Sequence, residues 1–336
     1  MCHRKFKEKK WQVKKLMLYH LISITLAVII DKIIGDPPNW PHPVRWMGHL
    51  IAVLERVGNK GGGKKLKGLG MLLSVIFVTY FIAICIVFFS YSLHFLVGIL
   101  VESCLIATTI AQKSLKTAAL DVYKPLIQGD LPTARRKLSY IVGRDTDKLS
   151  ETEIVRATVE TVAENTSDGI TAPLFWALVG GAPFSLVYRA INTCDSMVGY
   201  QNHRFAQFGY FSAKADDIVN LLPSRITAIL LLLFSKTPFY TKDEAWRLLF
   251  TDAKKHPSPN SGWGEAATAI ILGIQLGGIN YYKGQISNRA TMGLPKAERD
   301  KAHILAGNRL MTKAVWLFLL FLWSGGLLIE IASSWG

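Results

Sequence analysis

GMLLSVIFVTYFIAICIVFFSYSLHFLVGILVESCLIATTIA, residues 70–111, decides the fold. It is apolar almost throughout and breaks once, near Ser90, so it reads as a helical hairpin of two spans, Gly70–Phe89 and Tyr91–Ala111. Each is close to the roughly 20 residues that a helix needs to cross a hydrocarbon core. Two more blocks of this grade, Leu16–Ile34 and Ala314–Ala332, stand towards the two ends of the chain. His20 and Asp31 in the first block, His94 in the hairpin and Glu330 in the last are the ionisable residues of note; charge in such sequence is costly and calls for a partner or a job. The expected class is all-α: a polytopic integral membrane helical bundle with cytoplasmic helical loops.

Composition agrees. Of 336 residues 50% are hydrophobic, and the mean hydropathy is +0.25, high for a soluble domain. The net charge of +15 gathers at the ends of apolar blocks, as in cytoplasmic loops. No basic stripe interleaved with aromatics is present, so nucleic acid is not expected as a partner. Arg4, Lys5, Lys7, Lys9, Lys10, Lys14 and Lys15 make residues 1–15 a basic tail beside anionic head groups, leaving 16–336 as a single membrane-embedded domain. No small-residue cleavage site follows the first apolar run, so it reads as a retained segment. Cys2, Cys85, Cys104 and Cys194 form no C-x-x-C pair and suggest neither a disulfide framework nor a zinc site.

Between the blocks, four prolines from Pro37 to Pro43 preclude a regular helix and lead into a short amphipathic helix from Val44 to about Val57. Gly61–Lys65 (GGGKK) is a flexible connector without P-loop spacing. The polar region 112–168 predicts helices at Leu115–Ile127, Leu131–Val142 and Thr152–Asn165, with Asp130 capping the second and Ser150 the third. Ile170–Ala190 is apolar but interrupted by Pro173, Gly180, Gly181 and Pro183, a broken helix tolerated at membrane depth only inside protein or beside a cavity. Leu221–Phe234 is a shorter apolar run, and Gln285–Asn308 is polar and basic. The tail, the 55–67 loop and the 112–168 region are all basic and should all be cytoplasmic. One full span at Leu16–Ile34 would separate the first two, so either that segment is re-entrant or surface-lying, or the charge rule fails once.

Glu153, Arg156, Glu160 and Glu164 are spaced 3, 4 and 4 apart, along one helical face. Glu160 and Glu164 repel unless something positive lies between them, and Mg²⁺ carried by a nucleotide would serve. The plainer reading is a solvated face with Arg156 paired to Glu160. Arg189, Asn192, Asp195 and Ser196 form a second helical set, and Asp217, Asn220 and Ser224, beside Arg225, a third. Both suit a site or, equally, helix-to-helix hydrogen bonding. HPSPNSGWGE (256–265) opens a small-residue helix whose first N–H groups suit phosphate, or is simply a turn and cap. PHPVR (41–45) offers His42 and Arg45 on a rigid loop.

Taken together, GDPPNWPHPVRWMG, IVGRDT, ETVAENTSDG, PLFWALVGGAP, YRAINTCDSMVGY, KADD, HPSPNSGWGEA and IQLGG occur in one order. In order and wording they resemble the adenosylcobinamide-phosphate synthase family of cobalamin biosynthesis, from about Asp31 to Tyr281. The tail is longer and more basic than the family pattern, and the chain after Tyr281 carries little signature.

The resemblance implies a multi-pass enzyme of the cell inner (cytoplasmic) membrane with its active site facing the cytoplasm. Such an enzyme is a carbon–nitrogen ligase using ATP and Mg²⁺. It joins adenosylcobyric acid to (R)-1-amino-2-propanol O-2-phosphate, or a related amino alcohol, giving adenosylcobinamide phosphate. On that resemblance Glu160, Glu164 and Asp168 would hold Mg²⁺ or act as base. Arg144 and Arg189 would neutralise phosphate, beside Asn192. Asp195, Asp217 and Asn220 would complete the metal or amine site, with Glu160, Glu164 and Asp217 as the metal set. His42, Arg45, His256 and Asn260 would close the pocket over the phosphates. The expected partners are the corrinoid, the amino-alcohol phosphate and the bilayer, with oligomerisation left open. Two alternatives are a non-enzymatic signalling relative, which should lack these polar residues, and a transporter, which should show two repeated halves.

Overall fold

The computed structural model describes the backbone of residues 2–37 and 40–335, and the side chains of 17–37 and 40–328. Pro38 and Asn39 of the proline-rich loop, the side chains of the basic tail, and that of Glu330 lie outside the described residues. Two compact units emerge, one of residues 1–111, 172–219 and 319–336, the other of 112–171 and 220–318.

The first unit is a helical bundle. Helix α1 (Cys2–Ile33) leads to α2 (Pro43–Gly58), α3 (Lys64–Leu93) and α4 (Phe95–Ala107). The α3–α4 hairpin is the expected one, but it turns at His94 rather than near Ser90. His94 is extended and accepts the Leu96 N–H on Nδ1, which caps α4. Ser90 instead satisfies its hydroxyl on the Ile86 carbonyl and stays helical. Tyr19 stacks on Tyr91 and Phe95, and Ser23 bonds the Ile99 carbonyl, so α1 and α4 run parallel. Helix α2 starts with Pro43 at its first turn, where no N–H is needed, and buries Met47 and Ile51 against Met71, Leu72 and Val75 of α3. Phe77, Phe81 and Phe88 on the other side of α3 are exposed, as lipid-facing residues would be.

The interrupted apolar segment is observed as α8 (Ala172–Val198), with its break at Gly180 and Gly181. Gly181 adopts φ 66°, ψ −160°, which an L side chain rarely takes. Trp176 and Phe184, on either side of the break, bring their rings to 6.5 Å. Glu102 of α4, 0% exposed, holds the break. It accepts hydrogen bonds from the Ala182 N–H (3.1 Å), Tyr91 Oη (2.6 Å) and Ser23 Oγ (3.3 Å), with His20 Nδ1 at 3.0 Å. A carboxylate facing the N-terminus of the second half-helix complements its dipole.

The second unit holds α5 (Gln112–Ile127), α6 (Leu131–Ser139), α7 (Glu151–Thr166), α10 (Leu221–Phe234), α11 (Lys242–Asp252), α12 (Ser261–Leu272) and a β-hairpin. Asp130 and Ser150 cap α6 and α7 as expected, Asp130 Oδ1 accepting the Thr133 N–H and Ser150 forming a reciprocal box with Glu153. A π-helical turn (Ser167–Thr171) extends α7. Leu231, Leu249, Ala266, Ile270 and Met292 pack at the core. The hairpin, β1 (Leu276–Tyr282) against antiparallel β2 (Gln285–Met292), was not expected from sequence. Lys283 and Gly284 turn it with φ of 52° and 76°, both left-handed, as a two-residue type I′ turn requires. Asp145 accepts both of their N–H groups, at 2.9 and 2.7 Å.

Helix α9 (Tyr210–Val219) belongs to the first unit, and α13 (Ala302–Trp335) closes the chain. Among the described residues four helical stretches are long and apolar enough to cross a membrane, or five if α9 and α10 count as one broken span. This is a multi-pass, predominantly helical membrane protein.

Candidate active site

In the second unit, the charged face of α7 meets the start of β1. Arg144 reaches Glu160 Oε2 with Nη2 at 2.6 Å and Asn280 Oδ1 with Nη1 at 2.7 Å. The other Glu160 oxygen accepts the Gly277 N–H at 2.7 Å. Arg156 donates Nη1 to the Gly277 carbonyl, and Nη2 to the Ile279 carbonyl (2.8 Å) and Asn280 Oδ1 (3.0 Å). The Arg144 and Glu160 side chains are 7% and 6% exposed. Burying such a pair costs several kcal/mol per ion by desolvation, and this many hydrogen bonds are what offset it.

The glycines of IQLGG make this possible. Gly277 sits at φ 81° in a bulge between Leu276 and Gly278, and a Cβ there would lie 2.3 Å from the Ala290 carbonyl oxygen. At Gly278 a Cβ would crowd Arg156 Nη1 at 3.1 Å. The row Arg156–Glu160 is therefore not a solvated face but a buried clamp on strand backbone. Glu160 has both oxygens committed.

The HPSPNSGWGE loop reaches the same helix one turn further on, at Glu164. Gly264 lets α12 approach α7; a Cβ would stand 2.7 Å from the Ala163 carbonyl oxygen. Ser261 Oγ then donates to Glu164 Oε1 at 2.9 Å. Asn260 Oδ1 accepts from Arg225 Nη1 (3.1 Å) and Ser224 Oγ (3.4 Å), and Ser224 Oγ also reaches the Asn220 carbonyl (2.8 Å). Arg225 lies over the Trp263 ring at 5.0 Å.

His256 accepts the Ser258 N–H on Nδ1 at 3.0 Å and turns Nε2 toward Glu265 Oε1, 3.6 Å away. Burial pushes the imidazole below its ordinary value, against the pull of Glu164 and Glu160. Burial pushes the Glu265 carboxyl well up, and the charges of Glu160 and Glu164 add to this, while Arg289 and Arg144 oppose it. Both members of the pair are held toward their neutral forms.

Of the residues singled out in the sequence, Arg144, Glu160, Glu164, Asp168, Asn220, His256 and Asn260 belong to this unit. Asp168 stands one turn beyond Glu164, in the π-helical turn, a geometry frequent at functional sites. Glu265, Arg289, Asn280 and Ser261 join the cluster without having been singled out. Only Glu265 and Ser261 lay inside a quoted motif; the two strand residues gave no signal.

His42, Arg45, Arg189, Asn192, Asp195 and Asp217 belong to the first unit. His42 bonds Asp36 (3.1 Å) and caps α2, and Arg45 Nη1 holds the Trp40 carbonyl. Arg189 donates to Asn192 Oδ1 (3.3 Å), and Asn192 to Asp216 Oδ1 (3.2 Å). Lys214 pairs with Asp217 at 3.3 Å. Asp195 Oδ1 lies over Gly199, where a Cβ would be 1.8 Å away.

Among the described residues no three His, Cys, Asp or Glu side chains are grouped to hold a metal. That fits no all-protein cage. Mg²⁺ carried by a nucleotide would need only one or two carboxylates, its sphere being filled by phosphate and water. Glu164 and Asp168, both only half-buried, suit that demand.

The chain matches the family described as CobD/Cbib protein over residues 24–311. It is 52% identical over 314 residues to the cobalamin biosynthesis protein CobD of Halalkalibacterium halodurans, covering 93% of this chain and 98% of that one. It is 43% identical over 293 residues to CobD of Clostridium perfringens, covering 87% and 93% of the two chains. Identity to CobD of Klebsiella pneumoniae is 45% over 286 residues, covering 84% and 89%. No solved structure gives a significant match.

Proposed function

This chain belongs to the CobD/Cbib family of cobinamide-phosphate synthases, and we propose that it forms the amide bond between adenosylcobyric acid and (R)-1-amino-2-propanol O-2-phosphate, or a related amino alcohol, at the expense of ATP. Its relatives are named for cobalamin biosynthesis, and this chain is an enzyme of that pathway. The observation that carries the finer reading is the convergence of three separate motifs, IVGRDT, HPSPNSGWGEA and IQLGG, on the carboxylates of a fourth, ETVAENTSDG of α7.

A carboxylate is a poor electrophile. Bound Mg²⁺–ATP supplies its activation as an acyl phosphate, and amine attack then expels phosphate. Glu164 and Asp168 would hold the Mg²⁺. Arg225, stacked on Trp263 beside the start of α12, would face phosphate together with the first N–H groups of that helix. Of the two protons that nitrogen loses, one leaves with the phosphate. His256, kept neutral by burial, would take the other. Arg144 and Arg156 fix Glu160 and the strand, and so position the helix that carries Glu164. In this reading the catalytic face is cytoplasmic and the membrane is the inner one.

The test is reconstitution. Detergent-solubilised protein is given ATP, Mg²⁺, adenosylcobyric acid and aminopropanol phosphate. Adenosylcobinamide phosphate and stoichiometric ADP are the expected products by mass spectrometry. Absence of an ATP-dependent amide product would remove the proposal.

A further inference from the structure

In the first unit, α2 ends and α3 begins around a cavity of about 430 Å³ that the ligase chemistry does not use. Its charged lining is Arg56, Lys60, Lys64 and Arg204, four cations, against the single carboxylate of Glu55. Glu55 is spoken for. It takes Nε and Nη2 of Arg204 at 3.1 to 3.3 Å and Nδ2 of Asn59 at 2.9 Å, which builds the floor of the cavity. Asn59 Nδ2 also reaches the Arg204 carbonyl, while its Oδ1 is buried without a hydrogen-bond partner. Neighbouring lysines have other work: Lys65 lies 3.7 Å over the Tyr210 ring, and Lys67 Nζ holds the Lys60 carbonyl at 2.8 Å. The cavity therefore keeps excess positive charge in a framed shape.

Its position adds a second requirement. Lys64 is the first residue of α3, a membrane-spanning helix that turns apolar from Met71. Positive residues at such an end sit at head-group level. Within a turn of the cations, Val57 and Leu66 are 72% and 73% exposed, and Val53 is exposed as well. An occupant must then combine an anionic head with an apolar body. We propose that this cavity binds the phosphate head group of an anionic phospholipid, whose acyl chains run along the exposed aliphatic side of α2 and α3. The inference does not depend on the ligase reading.

The full-length protein, purified in detergent, is mixed with equal amounts of phosphatidylglycerol and phosphatidylcholine of matched chains, and retained lipid is read by native mass spectrometry. Phosphatidylglycerol should be retained preferentially. Each cation near the membrane surface is worth about fivefold in affinity, so Lys60→Gln with Lys64→Gln should cut retention at least that much. Arg56→Gln alone serves if the double variant is poorly folded. Lys236→Gln with Lys242→Gln, in the other unit, should retain lipid as the unmodified protein does. Equal retention of both lipids, or equal loss in the two double variants, overturns the proposal. So does displacement of the lipid by millimolar glycerol phosphate, which would make a soluble phosphate ester the occupant.

Discussion

Glu160 Oε1 accepts the backbone N–H of Gly277 at 2.7 Å, a contact between residues 117 positions apart. With Arg144 on its second oxygen, Glu160 is a fixed point between α7 and β1. Its role is to position, and a variant should show this. Glu160→Gln leaves two buried guanidinium groups short of their counter-charge, a loss of about 3–5 kcal/mol by analogy with broken buried pairs. Thermal unfolding in detergent should fall markedly. Lost turnover with an unchanged melting temperature would return Glu160 to direct contact with the reactants.

Gly277→Ala should have the same sign by another route. The residue is at φ 81°, and the new Cβ meets the Ala290 carbonyl oxygen at 2.3 Å. Strain of about 1–3 kcal/mol is expected, read as a lower unfolding midpoint with the bulge displaced. Stability equal to that of the unmodified protein would mean that the bulge relaxes without cost.

In the first unit, Gly181→Ala puts a Cβ 2.2 Å from Glu102 Oε1 and 2.7 Å from the His20 ring. Glu102→Gln leaves one buried donor or acceptor unmatched among Ala182, Tyr91 and Ser23, worth about 1–3 kcal/mol. Both variants should unfold earlier in detergent, and Gly181→Ala should unfold earliest. Melting temperatures equal to that of the unmodified protein would mean that the break in α8 does not need this carboxylate.

The buried pair of His256 and Glu265 sets a pH dependence. Glu265 has its folded value raised, so the folded chain binds the extra proton. Its contribution to stability is full below the unfolded value of about 4.3 and is lost as pH rises through the folded value. His256 is lowered, so the unfolded chain binds the extra proton, and stability is lost as pH falls below about 6.5. Glu265→Gln should therefore flatten the decline of melting temperature toward alkaline pH, and His256→Asn the decline toward acid. Parallel curves for variant and unmodified protein would show that neither group changes its proton affinity on folding.

Much of the helical frame was readable from sequence, because it depends on local chemistry. The caps at Asp130 and Ser150, the hairpin in 70–111 and the glycine break at 180–181 each declare themselves within a few residues. The β-hairpin did not, because its turn is Lys-Gly rather than the stronger Asn-Gly and its first strand carries two glycines. Missing the strand hid Asn280 and Arg289. It also made Arg156 and Glu160 look like part of a solvated face, when both bond backbone atoms more than a hundred residues away. Glu102 was a signal passed over, a lone carboxylate inside an apolar block, although only the folded chain reveals the half-helix that it caps.

Glu164 bears the most direct test. It is half-buried and hydrogen-bonded to Ser261, with none of the clamp contacts of Glu160. Steady-state ligation is measured for Glu164→Ala in membranes holding the same amount of protein with the same melting temperature. The proposal predicts that amide formation falls by on the order of 100-fold or more, with the loss partly relieved by high Mg²⁺. Near-normal turnover in a folded Glu164→Ala protein would contradict it.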